Sequence, residues 1–230
     1  MPSPTPTPAS TSASLAPIPT PHPPKADEPH LQAIIPALWV AFSDSAAGSS
    51  SGSSSSRAHE DGFTHIVEIT YSTGSPHALG PGSIERRWDA AHQAQRLRLV
   101  LPAQPQALAP AAGRAALALT DGQLRAARDF VGECLPPDLA AVPEQTAVRV
   151  LVTVPPGRPT DAMCVVGCYL GFVAERGVEE ILRFIDEEDG VLSVWKGEVS
   201  GEEVERVEEI ARSWSWLRAA AAAAAAAAGK

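Results

Sequence analysis

The sequence predicts an α/β domain, and three observations carry that prediction. From about residue 31 onward, short runs of β-branched and apolar residues alternate with stretches of helical period. One such run, Val148 to Val152, leads through a Pro/Gly-rich turn into a long apolar run from Ala162 to Glu175. Capping-box spacing at Thr120/Gln123 and at Ser200/Glu203 opens two further helices. With 230 residues and 44% hydrophobic content, one domain with a real core is expected.

Taken in order, residues 1–28 are rich in Pro, Ser, Thr and Ala and bury too little surface to offset chain entropy, so a disordered tail is expected. The domain then spans 29–217, with flexible Ser/Gly-rich insertions near 45–58 and 72–83. Leu31 to Phe42 reads as one or two short strands broken at Pro36, and Gly62 to Tyr71 as a strand following a glycine turn. His65 on that strand has no second metal-binding side chain at a useful spacing and reads as a strand-edge histidine. Arg96 to Leu101 fits a third strand ending at Pro102. Thr120 caps a helix that places Leu124, Ala127, Val131 and Cys134 near helical period and stops before Pro136–Pro137.

After the central strand and helix, Val178 to Asp186 is a short amphipathic helix with Val178, Ile181, Leu182 and Ile185 on one face. A last helix from Ser200 turns Val204, Val207, Ile210, Ala211, Trp214 and Leu217 inward, and an alanine tail occupies 218–230.

The net charge of −9 is concentrated. Between Glu175 and Glu209 stand 13 acidic and 4 basic residues, so the other 14 acidic and 14 basic residues balance. No basic stripe exists, which argues against nucleic acid as a partner. Three cysteines, Cys134, Cys164 and Cys168, have no C-x-x-C spacing and are expected to be reduced. The first residues show neither a charged n-region nor an apolar h-region, and no apolar run reaches membrane-span length. The expectation is a soluble, intracellular protein, cytoplasmic or nuclear, with no membrane partner, no cofactor and no metal.

The order of these elements resembles the dual-specificity branch of the protein tyrosine phosphatases. The likeness is carried by Gly62-Phe-Thr-His-Ile-Val67, by Leu119 to Val131, and by Val148 to Ile185, which includes Cys168-Tyr-Leu-Gly171 and Gly177-Val-Glu-Glu-Ile181. It implies a central, mostly parallel sheet flanked by helices. It also implies a phosphate-binding loop, H-C-x-x-G-x-x-R, between the Val148 strand and the helix after it. With the motif glycine on Gly157, Thr153 falls at the His, Val154 at the nucleophilic Cys, and Thr160 at the Arg. The next position is Asp161.

These departures have chemical consequences. The family mechanism needs a thiolate, and the isopropyl group of Val154 cannot attack phosphorus. The motif arginine grips phosphate oxygens in a fork, whereas Thr160 offers one neutral hydroxyl. Pro155, Pro156 and Pro159 carry no N–H for a phosphate cradle. Asp161 adds negative charge at a helix N-terminus, which suits the helix and opposes a phosphate. Gly157 and Arg158 remain as the anion-binding candidates, although Arg158 stands two positions early and has a surface or salt-bridging alternative.

For the family's acid, the loop after Leu101 holds no carboxylate. Asp121 is the nearest, inside the capping box, where it supports the helix dipole. Cys164 and Cys168 share one face of an apolar helix and read as inert core thiols. The leading expectation is therefore a pseudophosphatase-like domain without catalytic residues that binds a protein or phosphoprotein. The alternatives are an active phosphatase with a non-standard loop and an unrelated α/β interaction domain.

Overall fold

A computed structural model describes residues 31–43, 62–73, 78–103, 116–135, 147–174, 176–197, 199–213 and 215. The expected tails at 1–28 and 218–230, the insertion at 45–58, and the inward placement of Trp214 and Leu217 lie outside the described residues. Of the expected insertion at 72–83, residues 74–77 lie outside them as well.

Among the described residues six strands form one sheet: β1 (Gln32–Ile35), β2 (Leu38–Phe42), β3 (His65–Tyr71), β4 (Ile84–Asp89), β5 (Ala94–Leu101) and β6 (Val150–Val154). Their spatial order is β1-β2-β6-β3-β5-β4. The inner pairings β2–β6, β6–β3 and β3–β5 are parallel, and the edge strands β1 and β4 are antiparallel to their neighbours. The sheet is thus mostly parallel, with the C-terminal ends of β2, β6, β3 and β5 on one rim.

Four helices, α1 (Asp121–Cys134), α2 (Pro159–Ala174), α3 (Val178–Glu187) and α4 (Gly201–Arg212), complete the described fold. Their buried side chains join Val67, Ile69, Leu97, Leu99, Val150, Val152 and Val154 from one sheet face in a single core. The opposite face holds a smaller cluster of Ala41, Phe63, Ile66, Ala94 and Leu151.

The central pair is buried throughout. All five residues of β6 are buried, as befits an inner parallel strand whose apolar run is nearly continuous. Fourteen of the sixteen residues of α2 are buried, because α1, α3 and α4 pack around it on the sheet. Close packing explains Gly171, where a Cβ would stand 2.9 Å from a methyl group of Val178. Both expected capping boxes are present, at Thr120/Gln123 and Ser200/Glu203.

Three features differ from the sequence reading or were absent from it. The central strand begins at Val150 rather than Val148 and runs on to Val154, so Thr153 and Val154 belong to the ladder and not to the loop. In addition, β4 was not foreseen. Its residues Ile-Glu-Arg-Arg-Trp-Asp form an exposed edge strand with Ile84 and Trp88 45% and 57% exposed, so no buried apolar run marks it. Finally, Trp195 is fully buried and stacks on Phe42, with ring centroids 4.5 Å apart.

Candidate functional site

The site to judge is the connection from β6 to α2, at the rim where the parallel strands end. Crevices outside the carboxyl ends of such strands are where open α/β sheets bind ligands. Val154 closes the ladder: its carbonyl accepts from the Ser43 N–H at 2.8 Å, and its side chain, 0% exposed, points into the core. Thr153 faces the other way, its hydroxyl 3.5 Å from the Val67 carbonyl.

The next four residues form a type II β-turn. The Arg158 N–H donates to the Pro155 carbonyl at 3.1 Å, and Gly157 has φ of +83°. Proline at the second position fixes negative φ there, so a positive φ at the third position selects type II over its mirror forms. Glycine carries that φ without strain. Gly157 and Pro156 are exposed, while Pro155, Pro159 and Thr160 are buried.

Between residues 155 and 161 the three prolines have no N–H, and the amides of Arg158 and Asp161 are turned to the carbonyls of Pro155 and Arg158. Only the N–H groups of Gly157 and Thr160 remain.

Arg158 and Asp161 act on each other. The Arg158 Nε donates to Asp161 Oδ2 at 2.7 Å, and Nη2 lies 2.6 Å from the same oxygen, an ion contact without hydrogen-bond angles. Oδ1 of Asp161 accepts from the amides of Ala118 and Leu119 at 2.9 and 3.1 Å. Asp161 is fully buried in the first turn of α2. Burial raises its carboxyl above the ordinary range, against the opposing pull of Arg158 and the two amides. Of the two alternatives for Arg158, the geometry contains the salt-bridging one. The role of Asp161 in holding residues 118–119 was missed, since no local spacing announces a contact across more than forty residues.

The remaining candidates have structural partners. Asp121 pairs with Arg206 at 2.7 Å, on the surface beside the capping box. His65 begins β3, shares a hydrogen bond of 3.0 Å with the Thr64 hydroxyl and lies edge-on to Phe130. Burial, then Arg86, lowers its pKa.

Cys164 and Cys168 are 0% exposed. Burial pushes both thiols far up, Cys168 to about 12, and Cys134, which donates to the carbonyls of α1, also to about 12. Among the described residues no group of three His, Cys, Asp or Glu side chains could hold a metal ion. No helix among them is long and apolar enough to cross a membrane.

No protein-family model matches the chain, and no curated protein matches it by sequence. In structure the chain is similar, at low identity, to three solved proteins. PTPMT1, solved in complex with PI(5)P, is 13% identical, with a TM-score of 0.47 over 84% of this chain and 99% of that one. DUSP15 is 16% identical, with a TM-score of 0.42 over 81% and 89%. The human tyrosine phosphatase-like serine/threonine/tyrosine-interacting protein is 16% identical, with a TM-score of 0.44 over 78% and 93%.

Proposed function

We propose that this chain is a pseudophosphatase, a phosphatase-like domain without turnover that acts by binding a protein partner. One observation carries the reading: the side chain at the nucleophile position, Val154, is an isopropyl group sealed in the core behind a turn closed on itself. The only cation in the turn, Arg158, is held by the buried carboxylate of Asp161. The thiols that could substitute as nucleophile are buried and kept protonated.

The surface offered to a partner is the acidic helical flank. Exposed Glu179, Glu180 and Glu187 of α3, and Glu202, Glu205 and Glu209 of α4, favour a basic segment. Phe184, 66% exposed on α3, supplies an apolar anchor.

The test combines turnover of an aryl phosphate with phosphopeptide binding on one preparation of the native chain and of the double variant Val154→Cys, Thr160→Arg. The native chain is expected to show no turnover, and the double variant only weak recovery, because the three prolines and the buried position persist. Turnover by the native chain that survives alkylation of its cysteines would overturn the proposal.

A further inference from the structure

A second opening lies on the same rim, at the C-terminal ends of β3 and β5. It encloses about 320 Å³, at the lower end of small-ligand pockets. Its polar wall is made by Tyr71, Ser72, Thr73, Arg87, Arg98 and Glu85, and Leu79 and Val100 supply apolar surface.

The sheet register explains the gathering of charge. Glu85 stands directly across from Arg98, and Arg87 lies two residues further along the same face of β4. Arg98 is aimed rather than loose. Its Nε donates to the Thr70 hydroxyl at 3.2 Å, and Thr70 itself is buried, which fixes the plane of the guanidinium. Arg87 lies 3.9 Å from Glu68, at the outer limit of an ion pair, with its side chain 48% exposed. Two arginines and three hydroxyl-bearing residues line one small volume, with Glu85 as the carboxylate among the described lining residues and Glu68 across the sheet from Arg98 on its other side.

We propose that this pocket binds a small phosphate monoester, its oxygens held by Arg98 and Arg87 with hydroxyls from Tyr71, Ser72 and Thr73, and its organic body against Leu79 and Val100. A tetrahedral group with three terminal oxygens uses both guanidinium forks, where a carboxylate uses one. The site is independent of the β6–α2 turn, so it stands whether or not that turn is catalytically silent.

The probe is phenyl phosphate, with inorganic phosphate and benzoate beside it, titrated into the full chain by calorimetry and by amide NMR. Phenyl phosphate is expected to bind most tightly and to shift the amides of Ser72, Thr73 and Glu85, leaving those of Gly157 and Arg158 unmoved. Arg98→Gln should weaken binding about tenfold or more, as loss of a charge-assisted fork does. Glu85→Gln should tighten it about threefold, because a repelling carboxylate is removed. That gain is one that a merely structural role for Glu85 would not produce, and it needs no destabilised variant.

A phosphotyrosine pentapeptide run in parallel separates the sources. Binding equal to phenyl phosphate assigns a phosphorylated side chain, and failure to bind assigns a free ester. Absence of phenyl phosphate binding at millimolar concentration, shifts centred on Gly157, or affinity unchanged by Arg98→Gln in a folded protein would each overturn the proposal.

Discussion

Asp161 joins the turn, the helix and a strand-to-helix connection, and its replacement separates the contributions. Asp161→Ala removes the acceptor for the amides of Ala118, which is partly buried, and Leu119, which is buried. A buried donor left without a partner costs about 1–3 kcal/mol, so the pair together costs about 2–4. Two effects reduce that sum. The carboxylate no longer has to be held out of water, a cost visible in its raised pKa, and Arg158, at 11% exposure, can turn toward solvent. The net expected loss is about 1–3 kcal/mol.

Asp161→Asn keeps an oxygen for the two amides but sets an NH₂ against the guanidinium, and is expected to lose about 1–2 kcal/mol. Urea unfolding of the full chain, followed by circular dichroism with unchanged m-values, measures both. A loss below about 0.5 kcal/mol for Asp161→Ala would refute the reasoning. A reversed order would show that the pair with Arg158, and not the amides, carries the stability. The pH dependence has a definite sign. A carboxyl whose folded pKa is raised binds its proton more tightly when folded, so its contribution falls as pH rises from the unfolded value through the folded one. The stability gap between wild type and Asp161→Asn should narrow across that window.

Other expectations follow from single groups. Cys164 and Cys168 should resist thiol reagents in the native protein at pH 7–8 and react fully in denaturant, read by mass spectrometry; rapid native labelling of either would contradict their burial. Tyr169 is fully buried with its hydroxyl unpartnered among the described residues, so Tyr169→Phe should raise stability by about 1 kcal/mol in the same urea assay, and a loss would mean that the hydroxyl is satisfied. At Glu203, burial would raise the pKa, but hydrogen bonds from Leu117 and Ser200 outweigh it and lower the pKa below its ordinary value. Its contribution is therefore complete above the unfolded pKa and lost as pH falls through the folded one, so the deficit of Glu203→Gln should shrink on acidification.

The sequence showed what buried apolar runs and caps can show. β6 and α2 are legible because a central strand and a central helix need continuous apolar surface, and α1 and α4 because Thr120 and Ser200 cap them three residues before Gln123 and Glu203. β4 was illegible for the opposite reason: its apolar residues face solvent, and the turn into β5 places positive φ on Gln93 rather than on a glycine. The β6–α2 connection was legible as a Pro/Gly turn but not as a geometry. Pro156–Gly157 announces a turn, yet the amides of Ala118 and Leu119 that Asp161 accepts from lie across the fold. Arg128 is similar: it is buried and donates to the Ile210 carbonyl near the end of α4, a contact 82 residues away.

The turn, the three prolines and Asp161 solve one electrostatic problem together. A strand–loop–helix connection leaves the positive end of a helix and several amides facing one volume, which ordinarily calls for an anion. Here the prolines delete three of those donors and the type II turn consumes the Arg158 amide. The carboxylate of Asp161 then supplies the negative charge from within the first turn of α2, with Arg158 as its counterion. The connection has its own anion and cation, so an incoming phosphate would have to displace a buried ion pair rather than fill an empty cradle. Placing a thiol at position 154 leaves that arrangement in place, whereas at the rim pocket Arg87 is only loosely paired, 3.9 Å from Glu68. On these grounds the proposed anion site of this chain is the pocket at β3 and β5 rather than the turn.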